Sequence, residues 1–333
     1  MPDFSTDAFL MSMYEKTLPK VSLTDCPDGQ LESMLAERRE LLRRIMRIDA
    51  LEACELFEAP QLLEQSDGGG YRMEKFSAEI ADKLFQPYYK LTPAAPNGRV
   101  VIYHCGHSGD GVRGCVDPRS ESGAYQRLLP VELARRGYTV YAHEPFGFGE
   151  MTYNAYSGPD KRGCFANTGI LQLLGVSTTA MRVFQMQKIM DIAEKENKTD
   201  RFIIGGISGG GLACAFTGAV DRRVGAAFVQ GYTNTYRDSI MRLEHCIDNY
   251  MPGTLLAGES ADVLALHAPH PLLVSNGDAD PIFPLAGTKT AVDHLRKVYG
   301  KLGRGEVLSV DIFPGEHVSN NEAVFGWLEK LKF

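Results

Sequence analysis

A chain of 333 residues with 44% hydrophobic side chains is long enough for one large α/β domain or two smaller ones, and its composition is ordinary for a globular protein. A formal charge of −7 and a pI near 5.7 argue against nucleic acid as the main partner, because phosphate binding needs a basic face. No run approaches the roughly 18 apolar residues of a membrane span, and the N-terminal MPDFSTDAFLMSMYEK carries acids where a secretory signal carries bases, so the expected location is cytoplasmic with no membrane partner.

Residues 1–69 read as a helical extension. Leu31, Met34, Leu35, Leu41, Leu42, Ile45 and Ile48 recur at helical spacing among Glu and Arg, giving an amphipathic stripe that must be buried against the main body, a lid site or a second copy. Ser66-Asp67-Gly68-Gly69-Gly70 then punctuates the chain. From 70 to 333 the texture is that of a catalytic α/β domain. Tyr71–Phe76 and Leu84–Leu91 have the partial alternation of an antiparallel edge, and Arg99–His104 is a continuous apolar run of the kind buried on both faces. Tyr125–Arg136 suits a helix, Tyr138–Ala142 a strand, and 151–169 a polar, turn-rich rim over the site. Ser177 caps a helix reaching about Glu196. Strands follow at Arg201–Ile204, Val224–Val229, Pro271–Ser275 and Val307–Ile312, with helices at Leu212–Val220, Leu285–Tyr299 and Asn321–Lys330 and an irregular stretch over 232–258. Alternation of strand and helix predicts a mostly parallel, doubly wound sheet covered on both faces.

The chemistry centres on Gly206-Ile207-Ser208-Gly209-Gly210, a G-x-S-x-G lying between a buried strand and a helix. A serine on so tight a turn is lifted clear of the sheet, and the N–H of Gly209 at the helix start points towards a developing oxyanion. Alone, the pattern equally fits a glycine-rich turn that binds nothing, or a phosphate cradle. Cys105-Gly106-His107 follows a central strand, so the N–H of His107 is the candidate second oxyanion donor. Asp280 and His317 each lie in a loop directly after a predicted strand, and such loops gather at the carboxyl edge of a doubly wound sheet. The chain order Ser208, Asp280, His317 is that of α/β-hydrolase triads. In this reading Ser208 is the nucleophile, His317 the base and Asp280 its orienting acid, with Asp278 a turn residue.

The run from His104 to His317 resembles the α/β-hydrolase superfamily, and within it the dienelactone-hydrolase-like and acetyl xylan esterase-like serine esterases. GGISGGGLACAFTGAVDRRVGAA is similar to their elbow, APHPLLVSNGDADPIFP to their acid loop, with its G-x-x-D-x-x-x-P spacing, and PGEH to their histidine loop. Dienelactone hydrolases proper use a cysteine where this chain has Ser208. The resemblance implies a serine carboxylesterase or deacetylase for small acyl esters, acetylated sugars among them, with a small-molecule ester as partner and no cofactor. A prolyl-oligopeptidase-like peptidase and a hydrolase scaffold kept for binding are the competing classes. The former usually carries a propeller that 69 helical residues cannot supply, and a pure binding module has no need of all three triad residues. His104 and His107 lack a carboxylate cluster, so no metal is expected. The seven cysteines (26, 54, 105, 115, 164, 214 and 246) are odd in number and include no C-x-x-C, so neither a disulfide framework nor a zinc site is expected and most read as core residues. A homo-oligomer is left open.

Overall fold

The computed structural model describes residues 4–27, 29–52, 59–155 and 163–332. Helices α1 (Asp7–Thr17), α2 (Leu31–Met46) and α3 (Ile48–Glu52) come first, followed by strands β1 (Gln61–Asp67), β2 (Tyr71–Ala81) and β3 (Leu84–Pro93). Strand and helix then alternate through β4 (Val100–His104), α4 (Arg113–Val116), α5 (Leu129–Arg135), β5 (Thr139–His143), α6 (Gly163–Leu173), α7 (Thr178–Asn197), β6 (Phe202–Ile207) and α8 (Gly209–Val220). The chain closes with β7 (Val224–Gln230), α9 (Thr254–Ala257), α10 (Ser260–Ala265), β8 (Leu272–Gly277), α11 (Leu285–Lys301), β9 (Leu308–Phe313) and α12 (Asn321–Lys330).

Among the described residues the strands form one nine-stranded sheet in the order β1-β2-β3-β5-β4-β6-β7-β8-β9. The edge β1-β2-β3-β5 is antiparallel, and every pair from β5 to β9 is parallel. Every residue of β4 to β8 is buried, as parallel strands covered on both faces must be. Their side chains divide between two cores. Val100, Ile102 and Ile204 face the layer of α7, α8, α10 and α11, and Val101, Tyr103 and Ile203 face α5 and α12. The expected doubly wound α/β architecture is therefore the observed one, with the α/β-hydrolase strand arrangement.

Four local expectations differ. Gln61–Asp67, inside the segment read as helical, is a strand, because its pairing with β2 supplies the order that its exposed side chains cannot. β2 and β3 run on past the predicted ends into a tight hairpin, since Ala78 and Ile80 continue the burial alternation and Lys83 takes φ +60° at the turn. The helix expected over 125–136 begins only at Leu129: Arg127 and Leu128 both have φ +50°, and Pro130 then starts α5. Gly163–Leu173, within and beyond the predicted rim, forms α6.

The stripe on α2 is buried in the main body. Leu31, Leu35, Leu42 and Met46 join the core that covers one face of the sheet. Arg39 donates to the carbonyls of Ala219 at 2.8 Å and Leu266 at 2.6 Å, at the ends of α8 and α10, where helix carbonyls lack intrahelical donors. Arg38 forms a buried ion pair with Asp262 at 3.1 Å.

Candidate active site

Ser208 sits between β6 and α8 with φ 59° and ψ −123°, a backbone conformation that a residue with a Cβ rarely holds. The turn closes only because its flanks are glycine. A Cβ on Gly206 would lie 2.4 Å, and one on Gly210 2.0 Å, from the carbonyl oxygen of His104 on the neighbouring strand. Sequence pattern, strain and close approach thus share one cause, the need to project the serine from the centre of the sheet. Ser208 is 8% exposed and its N–H donates to the Gln230 carbonyl at 2.9 Å.

Asp280 and His317 come from the loops after β8 and β9, adjacent parallel strands. His317 Nδ1 donates to Asp280 Oδ2 at 2.7 Å. The other carboxylate oxygen of Asp280 accepts the N–H groups of Ile282 at 3.0 Å and Phe283 at 2.9 Å, which fixes the acid. Asp278 does different work: its Oδ1 accepts the Gly315 N–H at 3.1 Å and stitches the acid loop to the histidine loop. The His317 ring is held between Tyr125 and Phe283, stacked at 5.8 Å and 5.6 Å between centroids. With Nδ1 committed to Asp280, Nε2 is the nitrogen left to accept a proton; it is buried and bonds to no side chain among the described residues.

The loop after β4 lies beside the elbow, because His104 pairs in register with Gly206. Gly106 packs so closely that a Cβ there would meet the Tyr125 hydroxyl at 2.1 Å, and that hydroxyl donates to the His107 carbonyl at 2.9 Å. The His107 N–H donates to no protein acceptor among the described residues. The Gly209 N–H opens α8, where the first turn has no intrahelical acceptor and the helix dipole is positive.

The His107 ring belongs to a charge cluster that the sequence did not announce. Its Nε2 donates to Asp248 Oδ2 at 2.9 Å, and Arg182 of α7 reaches the same oxygen at 2.6 Å. Burial alone would lower the pKa of His107, but the Asp248 carboxylate and the Cys246 thiol outweigh it and raise it to about 9, so the ring is an imidazolium at neutral pH. Burial pushes Asp248 upward, yet the two cations hold it well below the usual carboxylate range. His107, Cys246 and Asp248 also bring a nitrogen, a sulfur and an oxygen within 4.8 Å of one another, a donor set with metal-ligating chemistry. A metal ion there would have to displace both the imidazolium proton and the Arg182 guanidinium, so the residues fit a buried ion-pair cluster better. His104 has no part in it: it packs edge-on against His143 at 4.8 Å, and burial drives the pKa of His104 well down and that of His143 to about 3.

A cleft of about 780 Å³ opens beside this cluster, lined by His107, Phe148, Cys164, His245, Cys246 and Ile282 among others. A larger groove of about 1010 Å³, containing Arg201, His270 and Trp327, lies at the amino ends of β6, β8 and β9; neither it nor the cleft has Ser208, Asp280 or His317 in its lining, and the cleft meets the site through His107. Asp248 and Cys246 fall in the stretch over 232–258 read as irregular, and Arg182 in the helix capped by Ser177. No motif marks them; an arginine at a position that the helix buries was the one available signal.

No protein-family model and no curated protein matches the sequence. Solved structures do match in fold. A Bacteroides fragilis protein assigned as an acetyl xylan esterase superposes with a TM-score of 0.79 at 16% identity, over 99% of this chain and 96% of its own. A methylesterase superposes with a TM-score of 0.70 at 22% identity, over 98% of this chain and 68% of its own. The glucuronoyl esterase from Solibacter usitatus gives 0.60 at 17% identity, over 94% and 98%. The chain has the α/β-hydrolase fold these structures share. No helix among the described residues is long and apolar enough to cross a membrane.

Proposed function

We propose that the protein is a serine carboxylic-ester hydrolase that removes small acyl groups from carbohydrate esters through Ser208, His317 and Asp280. The observation that carries this reading is the pairing of His317 Nδ1 with Asp280 at 2.7 Å, leaving a buried, unpartnered Nε2 at the strand edge where the strained Ser208 is raised. The names of two structural neighbours, acetyl xylan esterase and glucuronoyl esterase, support carbohydrate esters as the substrate class, and the methylesterase supports ester hydrolysis.

In this mechanism His317 Nε2 takes the Ser208 proton as Oγ attacks the ester carbonyl, and Asp280 stabilises the imidazolium that forms. The N–H groups of Gly209 and His107 receive the oxyanion; one such donor is typically worth about 3–4 kcal/mol of barrier. His317 returns the proton to the leaving alcohol, and a water activated by the same nitrogen releases the acid. Residues 70–333 carry every group used, and α2 braces that body through Arg38 and Arg39.

A panel of acetylated xylo-oligosaccharides, methyl glucuronate, and p-nitrophenyl acetate, butyrate, octanoate and palmitate tests the reading. Acetate release from the sugar esters and a decline beyond butyrate are expected. A maximum at octanoate or beyond would contradict it, as would cleavage of prolyl peptides without ester turnover.

A further inference from the structure

Two cysteines from distant parts of the chain meet in the wall of the cleft. Cys164 lies in the first turn of α6 and Cys246 in the loop before Asp248, 82 residues on, yet their sulfurs are 2.7 Å apart. Unbonded heavy atoms sit roughly 3.5–4.0 Å apart, and a sulfur–sulfur bond is about 2.05 Å. The two thiols therefore stand less than an ångström from bonding distance. Both are held there by their own segments. A Cβ on Gly147 would come within 3.1 Å of Cys164 Cα, so that backbone is packed against the loop after β5. The Cys246 carbonyl accepts from Asn249 Nδ2 at 3.0 Å, and Thr179 Oγ1 of α7 holds the Asp248 carbonyl at 3.0 Å.

We propose that Cys164 and Cys246 form a disulfide that ties the α6 wall of the cleft to the loop carrying Asp248. The oxidant is a low-molecular-weight disulfide such as glutathione disulfide. Cys246, the more exposed of the pair, loses its proton and attacks, releasing one glutathione thiolate and forming a mixed disulfide. Cys164 then loses its proton, attacks the Cys246 sulfur and expels the second glutathione. Two protein thiols are oxidised and one disulfide is reduced to two thiols, so electrons and protons balance. The neighbouring thiol and burial push the Cys246 pKa up while the His107 cation pulls it down, so capture is slow at neutral pH and quickens in mild alkali. In a reducing compartment the pair stays open, and in an oxidising one it closes.

The other described cysteines offer an internal control. Cys105 and Cys115 also lie side by side, but both are fully buried and neither lines the cleft. The experiment uses the full chain, equilibrated with glutathione disulfide or with dithiothreitol, unfolded in iodoacetamide, and digested for peptide mapping by mass spectrometry. A single cross-link between the Cys164 and Cys246 peptides is expected, with the remaining cysteines alkylated and Tm raised by about 5 °C over the reduced protein. Cys164→Ser and Cys246→Ser should each lose both the cross-link and the oxidation-dependent rise. If either variant fails to fold, the wild-type peptide map still decides. Alkylation of both cysteines after oxidation, stable glutathione adducts on them, or a Cys105–Cys115 link instead would overturn the proposal. Protection of both thiols by zinc chloride but not by glutathione disulfide would also overturn it, in favour of a metal site.

Discussion

Ser208 stands between two walls built on different principles. On one side Ser208, Asp280 and His317 each follow a strand end by a few residues, so the topology of the sheet places all three at its carboxyl edge, where His317 pairs with Asp280. On the other, His107 meets Asp248 across 141 residues, and the meeting is made by side chains: a guanidinium, a carboxylate and an imidazolium whose charges answer one another. Backbone geometry sets the first wall and electrostatic pairing the second. Damage should therefore separate, falling on chemistry at the first and on stability and positioning at the second.

The largest effects belong to the first wall. Ser208→Ala and His317→Ala should each lower kcat by about 10⁴ to 10⁶ while melting near the wild-type temperature, since triad members act as a unit. Asp280→Asn should cost about 10⁴ in kcat by favouring the wrong imidazole tautomer. Asp278→Asn should stay within a few-fold, because the amide oxygen still accepts the Gly315 N–H. Steady-state kinetics and thermal melts on one set of proteins check all four. If Asp278→Asn is the crippled variant, the acid is misassigned.

At the second wall Asp248→Asn should leave Arg182 and His107 facing each other without their shared anion. Removing one member of a buried charge cluster costs about 3–5 kcal/mol, so a fall of that order in denaturant-unfolding stability is expected, with kcat reduced by only about ten-fold through displacement of the His107 N–H. A kcat loss as deep as that of Asp280→Asn would erase the contrast between the walls.

The smallest effect is a pH slope. The folded pKa of His107 is raised to about 9 from an ordinary 6.5, so its contribution to stability is full below pH 6.5 and is lost as pH rises through about 9. Stability should therefore decline over that window, and His107→Gln should flatten the decline. Urea titrations at pH 6, 7.5 and 9 measure it; an unchanged slope in the variant would remove the charged imidazolium from the account.

The same division explains what could be read from the sequence. Strand runs, the glycines about Ser208 and the strand-following positions of Asp280 and His317 are local signals, and each reflects a backbone requirement that only certain residues meet. Asp248, Arg182 and the Cys164–Cys246 contact depend on how the stretch over 232–258 folds back onto α6 and α7, which no periodicity encodes. β1 was illegible for a related reason: its order comes from its partner strand, and its exposed side chains carry no pattern. Cys54, one of the seven cysteines of which most read as core residues, lies outside the described residues.

The central claim is that a single serine, raised on the β6–α8 turn and served by His317, performs the chemistry. Reaction of the folded protein with a fluorophosphonate, followed by peptide mapping, addresses it most directly. One adduct on Ser208 is predicted, lost on prior unfolding and slowed at least a thousand-fold, roughly the scale of triad losses, in His317→Ala. Modification of another serine, such as Ser108 in the cleft wall, or no adduct in the folded protein, would contradict the account.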